Sequence, residues 1–190
     1  MAIKLSKGQT IDLAKPGGLD KISFGVGWDV AKGKGFLGSL FGGGSIDLDA
    51  SCILFDSAGN RVDQVWWKQL ESQCGGIQHL GDNTTGEGDG DDEVIHVNLK
   101  KLKPEINSIV LTVSSFQGQT FEKVENAFCR VLDQSNKPLA TYNLSEQGQH
   151  TAILLGVLKR KGSDWDFTAV GKATNGRTID DLQAEAKLIL

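Results

Sequence analysis

The chain has 190 residues, 39% of them apolar and 23% charged, with a net charge of −4. That length supports one domain with a core large enough to need no covalent staples. The acidic balance argues against a duplex-binding protein, because affinity for nucleic acid rests largely on neutralised phosphates.

From the N-terminus, MAIKLSKGQTIDL has no apolar signal core, and no apolar run approaches the ~18 residues of a membrane span, so a soluble, cytoplasmic protein is expected. Short runs of two-residue periodicity follow: SFGVGW (23–28), IDLDASCILF (46–55), RVDQVWW (61–67), VIHVNL (94–99), SIVLTVSSF (108–116), NAFCRVL (126–132), TAILLGVLKR (151–160) and DWDFTAVG (164–171). Turn signals separate them, among them Ser57-Ala58-Gly59-Asn60, Gln134-Ser135-Asn136-Lys137-Pro138 and Lys161-Gly162-Ser163-Asp164. Eight or more strands joined by short connections predict an all-β, two-sheet β-sandwich, since parallel pairing would need a helix at each crossover. Two stretches read as helical: at most a turn or two at FEKVEN (121–126) and a terminal helix at TIDDLQAEAKLIL (178–190). In the latter Thr178 or Asp180 caps the start, and Ile179, Leu182, Ala186 and Ile189 form the apolar stripe.

The chain reads as a single domain over 1–190, with a glycine-rich flexible insertion at 32–45. Gly33 to Gly38 matches GxGxxG, but more glycine stands where a phosphate-binding helix should begin. Cys52, Cys74 and Cys129 are odd in number and widely spaced, which predicts buried thiols in place of a disulfide framework. Trp66, Trp67 and Trp165 are core anchors by default and, secondarily, candidates for a small-ligand surface.

The segment GDNTTGEGDGDDE (81–93) places six carboxylates in thirteen positions without a cation. Alternating glycines at 86, 88 and 90 let the backbone fold back so that oxygens converge. Calcium takes about six to eight oxygen ligands in flexible geometry. Asp82, Asn83, Thr85, Asp89, Asp91, Asp92 and Glu93 can supply them with main-chain carbonyls. The spacing is not an EF-hand, because Glu87 stands where that loop requires glycine. Asp47 and Asp49, two apart, are expected side by side on the solvent face of a strand, and Asp29 closes the SFGVGW strand.

Together WD (28–29), DLDAS (47–51), the acidic segment, NAFCRV (126–131) and WDFTAVG (165–171) resemble the TerD family of tellurite-resistance and stress-response proteins over nearly the whole chain. SSFQGQTFEKVENAFCRV, CGGIQHLGDN and GRTIDDL are closer to its TerZ or TerX branch. The resemblance implies a β-sandwich of the TerD type that binds calcium, with two neighbouring ions. It implies ligands among Asp29, Asp47, Asp49, Asp82, Asn83, Asp91, Asp92 and Glu93, with main-chain oxygens such as that of Gly88. It also implies a calcium-dependent adaptor working with other tellurite-resistance proteins, including a TerC-type membrane protein. Ser114-Ser115-Phe116-Gln117 replaces the His-Asp-Ala segment of TerD-type members. The alternative from the residues is a metal-dependent phosphoesterase using the clustered carboxylates, for which His79 is the nearby imidazole.

Overall fold

The computed structural model describes residues 2–14, 19–30, 46–81 and 90–190. Within them twelve strands form two six-stranded sheets. The strands are β1 (Ile3–Leu5), β2 (Thr10–Asp12), β3 (Lys21–Val30), β4 (Asp49–Phe55), β5 (Arg61–Val65) and β6 (Ile77–His79). They continue with β7 (Glu93–Asn98), β8 (Ser108–Ser114), β9 (Val124–Asp133), β10 (Pro138–Asn143), β11 (Ala152–Lys161) and β12 (Asp164–Thr174). Sheet A runs β1-β10-β9-β3-β7-β6 and sheet B runs β2-β12-β11-β8-β4-β5. All neighbours are antiparallel except β1 with β10. The expected β-sandwich is therefore present.

The inner faces supply the main core: Ile22, Phe24, Val26 and Trp28 from β3 meet Cys52 and Leu54 from β4 and Phe167 from β12. Sheet B is buried on its outer face as well. The C-terminal helix α1 (Ile179–Lys187) lays Ile179, Leu182 and Ala186 on Ile53, Phe55, Val110 and Leu154. This double burial explains why CILF and SIVLTV read as nearly continuous apolar runs. Thr178 caps the helix: its hydroxyl oxygen accepts from the Asp181 N–H, and the Asp181 carboxylate accepts in return from the Thr178 N–H. Those bonds, with one from the Arg177 N–H first among them, hold the Asp181 carboxyl below its ordinary range.

The short helical turn expected at FEKVEN is present as a single 3₁₀ turn at Phe121–Lys123, after which β9 begins at Val124. Two expectations need correction. β4 starts at Asp49, so Asp47 precedes the strand, and Asp49 is buried, not on a solvent face. Cys52 and Cys129 are buried as expected, while Cys74 is half-buried. Burial raises both buried thiols, that of Cys129 to about 12, so neither is poised as a thiolate. The insertion at 32–45 and the GxGxxG match at 33–38 lie outside the described residues.

Candidate metal centre at the root of the acidic loop

Antiparallel pairing brings the end of β3 and the starts of β4, β7 and β9 to one end of the sandwich. There the acidic loop rejoins the sheet. β7 enters opposite β3 with Glu93 paired to Val26. One residue earlier, the Asp92 N–H donates to the Val26 carbonyl at 2.9 Å, and the Trp28 N–H donates to Asp92 Oδ2 at 2.8 Å. Asp92 thus continues the ladder with its own carboxylate.

The glycines of SFGVGW explain how residues 90–91 lie down on the outer face of sheet A. A Cβ at Gly25 would fall inside the Asp91 carboxylate, and one at Gly27 would stand 2.6 Å from the Gly90 carbonyl oxygen. Only a strand without side chains at these two positions lets the backbone of 90–91 approach so closely. Arg130 is the register partner of Gly25 on β9 and reaches across it. Its Nη2 donates to Asp91 Oδ2 at 2.8 Å and its Nε lies 2.6 Å from Oδ1, an ion pair with one hydrogen bond that clamps a carboxylate whose side chain is 8% exposed.

Asp29 stands next along β3, exposed, and its Oδ2 accepts from Asn126 Nδ2 at 2.8 Å. Asn126 holds the left-handed backbone region (φ 52°), where asparagine is among the better tolerated residues. The pairing of β3 with β9 shifts between Gly27 and Asp29, so a bulge re-aims the strand end at this point. Burial first, then Asp29 and Asp91, push the Asp92 carboxyl above its ordinary range against the lowering effect of the Trp28 N–H.

Glu93 turns inward, between the sheets. Its Oε2 accepts from the Ala50 N–H at 2.6 Å and lies 3.3 Å from His79 Nε2, with both side chains 1% exposed. His79 Nε2 is also 3.2 Å from the Ala50 carbonyl oxygen, and Nδ1 accepts from the Gly81 N–H at 3.1 Å. The ring proton therefore sits on Nε2. With both nitrogens engaged and the ring buried, His79 is a structural residue bridging β6 to β4, and the phosphoesterase reading loses the base it leaned on.

The segment before β4 joins the same end: Trp28 Nε1 donates to the Ile46 carbonyl at 3.1 Å. The Asp47 N–H donates to Gln119 Oε1 at 3.0 Å and Asp47 Oδ2 accepts from Gln117 Nε2 at 3.1 Å. Gln117 and Gln119, in the segment after β8, are thus occupied with positioning Asp47. Trp66, Trp67 and Phe116 make an aromatic step beside it, with the Lys68 ammonium 4.6 Å from the Trp67 ring centroid, whereas Trp165 is buried.

Asp29, Asp91 and Asp92 are therefore neighbours, while Asp49 at the start of β4, Asp47 just before it and Glu93 at the start of β7 lie at the same end of the sandwich. Asp82, Asn83 and Gly88 lie outside the described residues. Among the described residues no group of three or more His, Cys, Asp or Glu side chains is arranged to hold an ion. Sequence reasoning missed Arg130, Asn126, Gln117 and Gln119. The signal for Arg130 was present, since two-residue alternation along NAFCRVL sets it on the face opposite the inward Cys129 and Val131.

The TerD domain family profile matches residues 1–185. The chain belongs to the TerD family. It is 55% identical over 185 residues to the tellurium resistance protein TerZ of Serratia marcescens, with 96% of each chain covered. It is 41% identical to the stress response protein SCP2 of Bacillus subtilis, covering 96% of this chain and 98% of that one. The TerD protein of Serratia marcescens is 34% identical over 93% of each chain. The crystal structure of a homologue of telluride resistance protein (TerD) from Streptomyces coelicolor superposes with a TM-score of 0.71 at 20% identity. It covers 90% of this chain and 98% of that one, a likeness of fold. Membership in this tellurium-resistance and stress-response family accords with the resemblance drawn from the acidic segment and its companions. Among the described residues no helix is long and apolar enough to cross a membrane.

Proposed function

We propose that the chain is a calcium-binding cytoplasmic stress-response protein acting as a metal-dependent interaction module. The observation that supports this reading most is the gathering of Asp29, Asp91 and Asp92 at the root of a loop that holds three more acids, Asp82, Glu87 and Asp89. Arg130 is the one cation that pairs with this group among the described residues. The donors are all oxygens, which suits a hard cation of flexible coordination. A divalent ion would offset the burial and, after it, the repulsion from Asp29 and Asp91 that together raise Asp92, and would give the acids of the segment a common centre beside sheet A. Asp29, Asp92 and the loop oxygens would hold it, with Asp47, Asp49 and Glu93 on the inner side, and two ions fit a donor set of this size. The ordered face would then dock other tellurite-resistance proteins, a TerC-type membrane protein among them.

Thermal unfolding with chelator, with calcium and with magnesium tests the metal. At calcium 100-fold above its dissociation constant, linkage adds about 2.7 kcal/mol. That corresponds to a melting-temperature rise of about 5–10 °C for a chain of this size. No rise with calcium, or an equal rise with magnesium, refutes the calcium reading. Affinity capture from cells with and without chelator then tests the adaptor, which predicts partners retained only without chelator.

A further inference from the structure

While α1 covers the outer face of sheet B, the outer face of sheet A carries no such layer among the described residues. At the end of that face remote from the acidic loop is a cavity of about 400 Å³. Its floor is two rows of strand side chains fixed by register. Lys21 stands beside Asn98, and Ser23 beside His96 and Gln78. Two raised turns wall it, 133–136 between β9 and β10 on one side and Gly75-Gly76 on the other, with Lys101 closing the rim.

We propose that this cavity is a binding site for a small phosphomonoester, distinct from the metal centre. Two cations, Lys21 and Lys101, contribute to it, and neither is in an ion pair among the described residues. The acid at the rim, Asp133, is turned into its own loop, where Oδ1 accepts from the Ser135 and Lys137 N–H groups at 2.9 and 3.1 Å. The remaining functional groups are a hydroxyl, an imidazole and side-chain amides. Ser23 Oγ and His96 Nδ1 are 2.7 Å apart, and the amides of Gln78, Asn98 and Asn136 surround them. Two ammonium groups match a dianionic phosphate, and hydroxyl, imidazole and amide groups match the hydroxyls of a polyol. No Phe, Tyr or Trp lines the cavity, so it offers no stacking platform for an aromatic ligand. The volume falls within the usual range for small-molecule sites, about 300–1,000 Å³, and exceeds what a bare oxyanion fills. Lys21 and Asp29 lie eight residues apart on β3, roughly 26 Å at ~3.3 Å per residue, so the two sites act independently.

The test is an amide NMR and calorimetric titration of the full chain, in chelator and low salt, with ribose 5-phosphate, inorganic phosphate and ribose. Expected are shifts confined to the lining of the cavity: Lys21–Ser23, Gly75-Gly76, Gln78, His96–Asn98, Lys101 and the 133–136 turn. Affinity for ribose 5-phosphate should be about tenfold or more above that for inorganic phosphate, weaken with added salt, and be absent for ribose. The double variant Lys21→Gln/Lys101→Gln, at two exposed positions, should keep its melting temperature and lose at least about tenfold in affinity. Shifts scattered over the surface lysines, equal affinity for phosphate and ester, or undiminished binding in the double variant would overturn the proposal. Because chelator is present throughout, a failed calcium titration leaves this result unaffected.

Discussion

Replacing Glu93 by alanine should be among the most destabilising single changes at the acidic end, and the reason is internal to the protein. The Glu93 side chain, 1% exposed, is an acceptor for the Ala50 N–H at 2.6 Å and lies 3.3 Å from His79 Nε2. Truncation removes that acceptor from one buried donor outright and weakens the setting of a second. Each buried donor left unpaired costs about 1–3 kcal/mol, and the vacated side-chain volume adds to this. Removing a buried carboxylate returns part of the cost, because its desolvation no longer opposes folding. The net loss is about 3 kcal/mol, or a fall of about 6–12 °C in melting temperature. Glu93→Gln separates hydrogen bonding from charge: its amide oxygen still accepts from Ala50, so the loss should stay near 1 kcal/mol. Urea unfolding followed by tryptophan fluorescence measures both, in chelator so that no metal linkage enters. In the double variant Glu93→Ala/His79→Ala the two losses should couple by about 1 kcal/mol or more. A loss below about 1 kcal/mol for Glu93→Ala with an unchanged urea slope would refute the reasoning, as would a Glu93→Gln variant no more stable than Glu93→Ala.

The other expectations rest on separate observations. Gly25→Ala puts a methyl group into the Asp91 carboxylate, so it should break the Arg130 clamp and cost about 1–3 kcal/mol, read by thermal unfolding and by loss of protection at the 90–92 amides. Asp92→Asn keeps an oxygen for the Trp28 N–H while removing a charge the fold disfavours. In chelator at pH 7 it should therefore be no less stable than the parent, and it should lose the calcium-induced rise in melting temperature. The sign follows from the raised carboxyl: its contribution is present below the unfolded pKa and is lost as pH rises through the folded one. Asp181 is the opposite case, since its lowered carboxyl contributes above the unfolded pKa and loses that contribution as pH falls through the folded one. Asp181→Ala should cost about 1 kcal/mol at pH 7 and progressively less in acid, measured by urea unfolding across that range. Leu182→Ala, fully buried between α1 and sheet B, should cost about 2–5 kcal/mol by the same measurement.

The sandwich was legible because alternation is a backbone property: each of the eight runs marked by period two contains a strand of the structure. β1, β2 and β10 escaped notice for a physical reason. IKL and TID are three-residue strands paired on one side only, and PLATYN opens on a proline and mixes polar with apolar residues. Their pairing is imposed by neighbours far along the chain, which no local pattern reports. The carboxylates of the candidate centre were legible for the same reason that they are costly, namely their density. Their counter-groups were not. Arg130 is 39 residues from Asp91 and Gln117 is 70 from Asp47 in the chain, so those contacts exist only once the register is set. Asp49 was misplaced because alternation gives the face of a side chain and says nothing of whether that face is covered.

The departures from regular strand chemistry are concentrated where the acidic loop meets the sheet. β3 runs through the middle of sheet A, where glycine costs about 0.5–1 kcal/mol relative to alanine, yet it carries two at alternate positions on one face. A bulge follows between Gly27 and Asp29, Asn126 takes a positive φ opposite it, and a carboxylate and an imidazole are buried between the sheets nearby. The buried Glu93–His79 pair also ties β6 and β7 to β4, whereas the glycines, the bulge and the positive φ add nothing to the packing of the two sheets. The glycines let residues 90–91 down onto the sheet, and the bulge and Asn126 fix where Asp29 points beside Asp92. Local irregularities held in place by a regular scaffold are characteristic of sites selected for binding at some cost in stability. The glycine platform and the Arg130 clamp thus hold residues 90–93 in register on sheet A and set Asp92 beside Asp29 at the end of β3.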